Sequence, residues 1–164
     1  MENGQPDRPA DASLAPSHVL VPIDGSPLAR AALDYALEVF DCPITVLNVV
    51  TPIDAGMSES GVLDREGRRG EARDRADELA DAALERAGAP DRTVEVAVET
   101  GDPAEEIIEY VETSLADHVV MGGHGGPEAG ALRRLLGTVS TAVVGKAPVP
   151  VTVVREVGEP AESS

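Results

Sequence analysis

The fold is decided by residues 18–50, which read HVLVPIDGSPLARAALDYALEVFDCPITVLNVV. The first six, His18–Ile23, are a run rich in β-branched residues, which predicts a buried strand. Asp24-Gly25 predicts a turn, and Ser26-Pro27 supplies an N-cap followed by proline at the first helical position. Ile44–Val50 is a second continuous apolar run and predicts a second strand. This order predicts a parallel β–α–β unit with a right-handed crossover.

The same alternation continues to the end of the chain. A polar stretch, 51–70, is interpreted as a mobile crossover, and a half-exposed edge strand is predicted over Thr93–Glu99, where residues alternate. Further strands are predicted over His118–Met121 and Val149–Val154, with a glycine-rich loop from Gly122 to Gly137 between them. We therefore expect an α/β domain with one doubly wound, mainly parallel five-stranded sheet in the order 3-2-1-4-5 and helices on both faces.

Four amphipathic helices connect these strands. The first carries an apolar stripe, the second ends at Gly88, the third opens with a relative of the capping box at Asp102-Pro103-Ala104-Glu105, and the fourth is short. The predicted inward residues are Leu28, Ala31, Ala32, Tyr35 and Val39 in the first, Ala72, Ala76, Leu79, Ala80, Ala83 and Leu84 in the second, Ile107, Ile108, Val111 and Leu115 in the third, and Val139, Ala142 and Val143 in the fourth.

The two ends of the chain lack hydrophobic periodicity. Residues 1–16 are rich in Pro, Ala and Asp, and residues 156–164 are acidic, so both are predicted to be disordered. The folded domain is then 17–155. The N-terminus lacks the pattern of a signal peptide, and no apolar stretch approaches the roughly 18 residues of a membrane span. We expect a cytoplasmic protein with no membrane partner.

The net charge limits the function classes. It is −17 in 164 residues, and Lys146 is the single lysine. Such self-repulsion opposes compaction in dilute buffer, and at about 1 M salt the Debye length falls to about 3 Å. The composition resembles that of proteins from salt-accumulating microbes, with an acidic mesophilic protein as the alternative. The charge argues against a nucleic-acid partner. A single cysteine, Cys42, allows no intramolecular disulfide and is expected to pack as a small apolar residue.

Two loops are candidates for a binding site, because ligands of open α/β sheets bind beyond the carboxyl ends of the strands. Asp24, after the first strand, can accept a hydrogen bond from a ribose hydroxyl or a base amine, or can serve as a turn residue. The glycines after the fourth strand can line an anion-binding nest or form a flexible connection. Gly137-Thr138 opens a helix whose amides attract anions, and the Thr138 hydroxyl can contact phosphate or cap the helix. The three histidines show no metal-ligand spacing, and no metal site is predicted.

The chain resembles the universal stress protein family from about residue 18 to residue 155. The resemblance is carried by VLVPIDGSPLARAALDYAL, ITVLNVV, GDPAEEIIEYVETSLADHVVMGGHG and LRRLLGTVSTAVVGKAPVPVTVVR. Nucleotide-binding members carry Gly, two residues, Gly, nine residues, Gly and Ser or Thr. Gly122, Gly125 and Gly137-Thr138 fit this pattern, but the spacer 126–136 has eleven residues. It offers Glu128 where members tend to carry a basic residue. Arg133 and Arg134 either compensate by folding inward or are solvated.

The resemblance implies an ATP-binding switch, with Mg²⁺ as a candidate companion ion. It implies an adenine site near Pro22, Ile23, Asp24 and Val49. The ribose and phosphates would lie near the remaining site residues, which are Met121, Gly122, His124, Gly125, Gly137, Thr138 and Val139.

Two functions from different classes follow. One is a homodimeric ATP-binding regulatory protein of the stress response, with no catalytic residues assigned and slow or no turnover. The alternative is a nucleotide-free dimeric protein-interaction module with an unknown protein partner. No motif of an adenylating or phosphate-transferring enzyme is present. The dimer is expected through the last strand, at Val151–Val154, since an apolar edge strand can pair with a second copy. The acidic tail covering that edge is the alternative.

Overall fold

The computed structural model describes residues 15–24, 27–51, 65–123 and 137–155. Five strands alternate with four helices in these residues, as the sequence predicts. The elements are β1 (Val19–Ile23), α1 (Pro27–Val39), β2 (Ile44–Val50), α2 (Arg65–Ala87), β3 (Val94–Thr100), α3 (Pro103–Thr113), β4 (His118–Gly122), α4 (Thr138–Lys146) and β5 (Val151–Val154).

The strands form one parallel sheet in the order β3-β2-β1-β4-β5. The predicted fold class and strand order are therefore confirmed. Val19 is in register with Ile44 of β2 and with His118 of β4, so β1 lies at the centre of the sheet. β3 and β5 are its edges. Most of the predicted arm 1–16 and all of the tail 156–164 lie outside the described residues, and their disorder stays a prediction.

Two hydrophobic clusters cover the two faces of the sheet. Alternate residues of β1 serve both, because successive strand side chains point to opposite faces. Val19, Val21 and Ile23 pack with α1 and α2, whereas Leu20 packs with α3 and α4. Cys42 is half-buried against the first cluster, and burial raises the pKa of its thiol. That environment suits the packing role that the sequence predicts.

The predicted inward face of α1 is partly wrong. The buried residues are Ala29, Ala32, Leu33, Ala36 and Leu37, while Tyr35 is 38% and Val39 51% exposed. Small alanines let the helix lie close to the sheet, and the larger Tyr35 and Val39 flank that contact. The sequence-based prediction assigned these larger residues to the buried face, so the predicted face is rotated around the helix axis relative to the observed one.

The predicted role of Leu115 is also wrong. α3 ends at Thr113, Ser114 is extended, and Leu115 is 83% exposed. The helical spacing of apolar residues therefore extends past the last residue of the helix and does not mark where the helix ends. The beginning of α3 is as predicted, because the Asp102 carboxylate accepts a hydrogen bond from the Glu105 amide at 3.1 Å.

Arginines connect helices and loops to main-chain carbonyl oxygens. Arg69 and Arg73 of α2 donate to the carbonyls of Val98 and Val96 on β3, at 2.9 and 3.0 Å. Arg92 donates to three carbonyls at and after the end of α1, those of Leu37, Phe40 and Cys42, at 2.8, 2.6 and 3.2 Å. An ion pair also joins Arg86 to Asp34 at 2.9 Å. None of the helices in the described part of the chain is long and apolar enough to cross a membrane.

Candidate functional site

A cavity of about 840 Å³ opens at the carboxyl end of the sheet. The chain winds from β1 towards β2 and β3 on one side, and then crosses back to β4 and β5 on the other. The cavity is lined by the ends of β1, β2 and β4, so it lies where the winding direction changes. Doubly wound sheets bind ligands at this position, and the volume lies within the usual range for small-molecule sites.

Most of the predicted site residues line this one cavity. Pro22, Ile23 and Asp24 enter it from the end of β1, Val49 from β2, Met121 and Gly122 from β4, and Gly137, Thr138 and Val139 from the start of α4. His124 and Gly125 lie outside the described residues, as does the spacer 126–136. The structure therefore brings together nine predicted residues that are up to 117 positions apart in the sequence (139 minus 22). Their role in nucleotide binding stays a prediction.

The N-terminus of α4 presents backbone amides to the cavity. Gly137 occupies the N-cap with φ 79° and ψ 161°, and no side chain of the described residues caps the first turn. A positive φ is readily adopted by glycine, which explains the residue at this position. Thr138 is exposed and is the first residue of the helix, and Gly137 takes the N-cap position, so the structure does not support the predicted alternative role of Thr138 as the cap. The first amides of the helix and its dipole make this end of the cavity favourable for an anion.

Gly122 has a packing role besides its place in the cavity wall. A Cβ atom added to it would lie 2.8 Å from the carbonyl carbon, the carbonyl oxygen and the Cβ of Leu28. Only glycine therefore lets the first turn of α1 lie this close to the end of β4. This glycine belongs to the predicted phosphate-binding pattern, but the structure gives it a reason that needs no ligand.

Helix α2 supplies a wall that the sequence analysis missed. Its residues Arg68, Glu71 and Arg75 line the cavity, and Asn48 of β2 lines it nearby. The Asn48 side-chain amide donates to the carbonyl oxygen of Ala72 at 3.2 Å, which fixes α2 over the end of β2. The two arginines balance the charges of Glu71 and Asp24. The lining is thus neutral in the described residues, although the chain as a whole carries −17.

The error that hid this wall lies in the segment 51–70. The prediction of a mobile crossover over 51–70 is wrong for residues 65–70, because α2 begins at Arg65. Residues 52–64 lie outside the described residues. Gly67 and Gly70 have low helix propensity, so the sequence does not indicate that the helix begins before them. Extending the row of Ala72 and Ala76 back by four positions reaches Arg68, so the periodicity did contain a signal. Pro103 and Ile107 of α3, buried Ser140 of α4 and Ala29, Val50 and Thr51 complete the lining.

Two histidines lie at the opposite end of the sheet. His18 Nε2 is 2.7 Å from Thr45 Oγ1, and His118 Nε2 is 2.9 Å from Thr152 Oγ1. Burial lowers the pKa of His118 and outweighs the opposing effect of Asp117. Each histidine thus has a structural partner on a neighbouring strand. Within the described ranges, no group of three or more His, Cys, Asp or Glu side chains is placed to hold a metal ion.

Comparison with known proteins decides the family. The sequence pattern of the universal stress protein family matches residues 16–155. The chain belongs to the universal stress protein family. Universal stress protein MJ0531 of Methanocaldococcus jannaschii is 30% identical in an alignment of 152 residues, and the match covers 84% of this chain and 81% of that protein.

Solved universal stress proteins share the fold. One, determined in complex with cAMP, is 25% identical with a TM-score of 0.62, covering 85% of this chain and 97% of its own. Another, from Arabidopsis thaliana and with AMP bound, is 23% identical with a TM-score of 0.60, covering 87% of this chain and 94% of its own. Both similarities extend over nearly the whole domain, so the resemblance seen in the sequence is confirmed at the level of family and fold.

Proposed function

We propose that this universal stress protein binds an adenine nucleotide, ATP in the first place, in the cavity at the carboxyl end of the sheet and acts as a regulator in the stress response. The observation that carries the proposal is the convergence of nine predicted residues on one cavity, with the uncapped N-terminus of α4 in its wall. Family members with cAMP and with AMP bound support the choice of an adenine nucleotide.

The parts of the cavity suit different parts of the ligand. The amides at the start of α4 suit the phosphates. Asp24 and the Val49 segment, at the ends of β1 and β2, suit the ribose and the base. The nucleotide state itself is the proposed signal, with slow or no turnover. Mg²⁺ would accompany the phosphates rather than occupy a protein site of its own.

The first experiment is mass spectrometry of small molecules released from native protein in molar KCl. A released adenine nucleotide supports the proposal. Thermal unfolding with added ATP and Mg²⁺ gives the second measurement, because a ligand at a hundred times its Kd stabilises the fold by about 2.7 kcal/mol. Failure of both measurements would support the nucleotide-free interaction module, which Glu128 and the longer spacer favour. Phosphate release on prolonged incubation then measures turnover.

A pair of variants at Thr138 tests the position of the phosphates. Proline is tolerated at the first helical position, so Thr138→Pro removes one amide donor and the hydroxyl while keeping the helix. Thr138→Ala removes the hydroxyl alone. We expect Thr138→Pro to weaken ATP binding about tenfold, since hydrogen bonds to charged groups contribute about 1.5–3 kcal/mol. Equal affinities of the two variants would place the phosphates elsewhere.

We also propose that the protein is a homodimer that forms through β5. This strand is an edge of the sheet, and its residues Val151–Val154 are half-buried in the single chain. Val153→Asp would place like charges across the two-fold axis and shift the protein towards monomer. Val94→Asp, on the opposite edge strand β3, is the control and should leave the dimer intact. Light scattering in molar KCl that shows a monomer for the unmodified protein at micromolar concentration would exclude the dimer.

A further inference from the structure

Arg68 occupies an unusual position on α2. It precedes Ala72 and Ala76 at intervals of four residues, so it belongs to the row of the helix that faces the sheet. Both alanines are 0% exposed. Ala72 accepts a hydrogen bond from Asn48 near the end of β2, and one turn earlier the row meets the cavity, which Arg68 lines. A charged side chain thus takes the place of the next core residue.

The guanidinium of Arg68 has an unused donor. Its Nε atom is buried, and no partner for it exists among the described residues. A buried N–H without an acceptor destabilises a fold, and such groups are rare in proteins. The neighbouring Arg69 shows the contrast, because it donates to Val98 and Thr100 of β3. Arg68 is therefore held in the cavity wall although it gains no internal hydrogen bond through Nε.

The position of Arg68 indicates which part of a ligand it meets. α2 lies over the end of β2, where the Asn48–Ala72 hydrogen bond fixes it. The amides of α4 that suit phosphates line the cavity together with the end of β4. β1 separates β4 from β2, so these two regions are two strand spacings apart, roughly 10 Å. A nucleotide whose phosphates contact α4 thus extends its base towards Arg68.

We infer that Arg68 is a base-binding residue of this site, donating hydrogen bonds to acceptor atoms on the edge of a purine. The inference rests on the proposed function and deepens it. Arginine carries five N–H donors and no acceptor, so it selects ring nitrogens and carbonyl oxygens. Asp24, which lines the same cavity from the end of β1, complements it as an acceptor for an amine. The phosphates are then held by hydrogen bonds from the first amides of α4 and by its dipole.

The experiment compares Arg68→Met with Arg69→Met, which changes the charge equally one position along but lies outside the cavity lining. Adenosine, AMP, ATP and inorganic tripolyphosphate are titrated calorimetrically in molar KCl. Arg68→Met should weaken the binding of adenosine, AMP and ATP by the same factor, about tenfold. The affinity for tripolyphosphate should stay unchanged. Arg69→Met should leave the affinity for all four ligands unchanged. Arg68→Lys, which keeps a hydrogen-bond donor, should lose less affinity for the nucleotides than Arg68→Met.

Stability of the ligand-free protein gives a second readout. Arg68→Met removes a buried unsatisfied donor and should raise Tm, whereas a structural arginine would lower it on replacement. A loss of affinity that grows from adenosine to ATP would assign Arg68 to the phosphates and overturn the inference. So would equal binding by both methionine variants while the unmodified protein binds ATP. Absence of any nucleotide binding by the unmodified protein would overturn the proposed function and this inference together.

Discussion

Replacing Gly122 with alanine tests how closely α1 approaches the end of β4. The added Cβ would lie 2.8 Å from three atoms of Leu28, two of them in the backbone. Carbon atoms in contact are normally about 3.5–4.0 Å apart, so the first turn of α1 would have to move by roughly 0.7 Å or more. Gly122 has no positive φ, so the cost is steric. Overpacking of this kind costs about 1–3 kcal/mol, which predicts a Tm lowered by roughly 4–8 °C for about 2 kcal/mol.

Urea unfolding in molar KCl measures this loss, with Gly70→Ala and Gly145→Ala as controls. Both control glycines lie within helices, and a Cβ on either meets no atom within 4 Å. Alanine should therefore stabilise the protein there by about 0.5–1 kcal/mol. If Gly122→Ala were as stable as the unmodified protein, the close approach would be disproved. Should it then also lose ATP binding, the glycine would serve the ligand instead of the packing.

Three further predictions concern charge. Arg92→Met should lower the free energy of unfolding by about 2 kcal/mol, because three carbonyls lose a charged donor. Arg86→Met removes an exposed ion pair and should lower it by at most about 0.5 kcal/mol in the same urea assay. Burial alone would raise the pKa of Asp117, but hydrogen bonds from Ser17 and His18 outweigh it and lower the pKa. That stabilisation is present above the unfolded-state pKa of about 3.9 and disappears as the pH falls through the folded-state pKa, so the advantage of the unmodified protein over Asp117→Asn should vanish in acid. Finally, Tm should rise steeply from dilute to molar KCl, and an unchanged Tm would contradict the salt-adapted interpretation.

The sheet was predictable because its strands are continuous apolar runs separated by clear turn signals. His18–Ile23 and Ile44–Val50 have no competing interpretation, and each appears as a strand with nearly the predicted ends. Helix faces were harder, since α1 has two overlapping apolar stripes and the sequence does not say that alanines mark the closer contact. The prediction that Leu115 is buried was wrong for a related reason. Periodicity gives the face of a helix but does not give its last residue.

The candidate site was predictable where it follows strand ends, and not where it depends on helix packing. Asp24, Val49 and Met121 come directly after or within strands whose carboxyl ends meet. Arg68 reaches the cavity only because α2 starts early and lies over β2, a tertiary arrangement that no local pattern states. The glycines at 67 and 70 are poor helix residues, and packing overrode their local preference.

The arginines that bind main-chain carbonyls have a consequence for stability in concentrated salt. An ion pair such as Arg86–Asp34 loses strength when mobile ions crowd around both partners. The hydrogen bonds of Arg73 and Arg92 join a cation to a peptide dipole, so the partner carries no net charge that a cation from the solution could compensate. We therefore expect contacts of this kind to weaken less with added salt than an exposed ion pair does. Arg69, Arg73 and Arg92 thus form contacts for which dissolved cations compete less than they do in an ion pair.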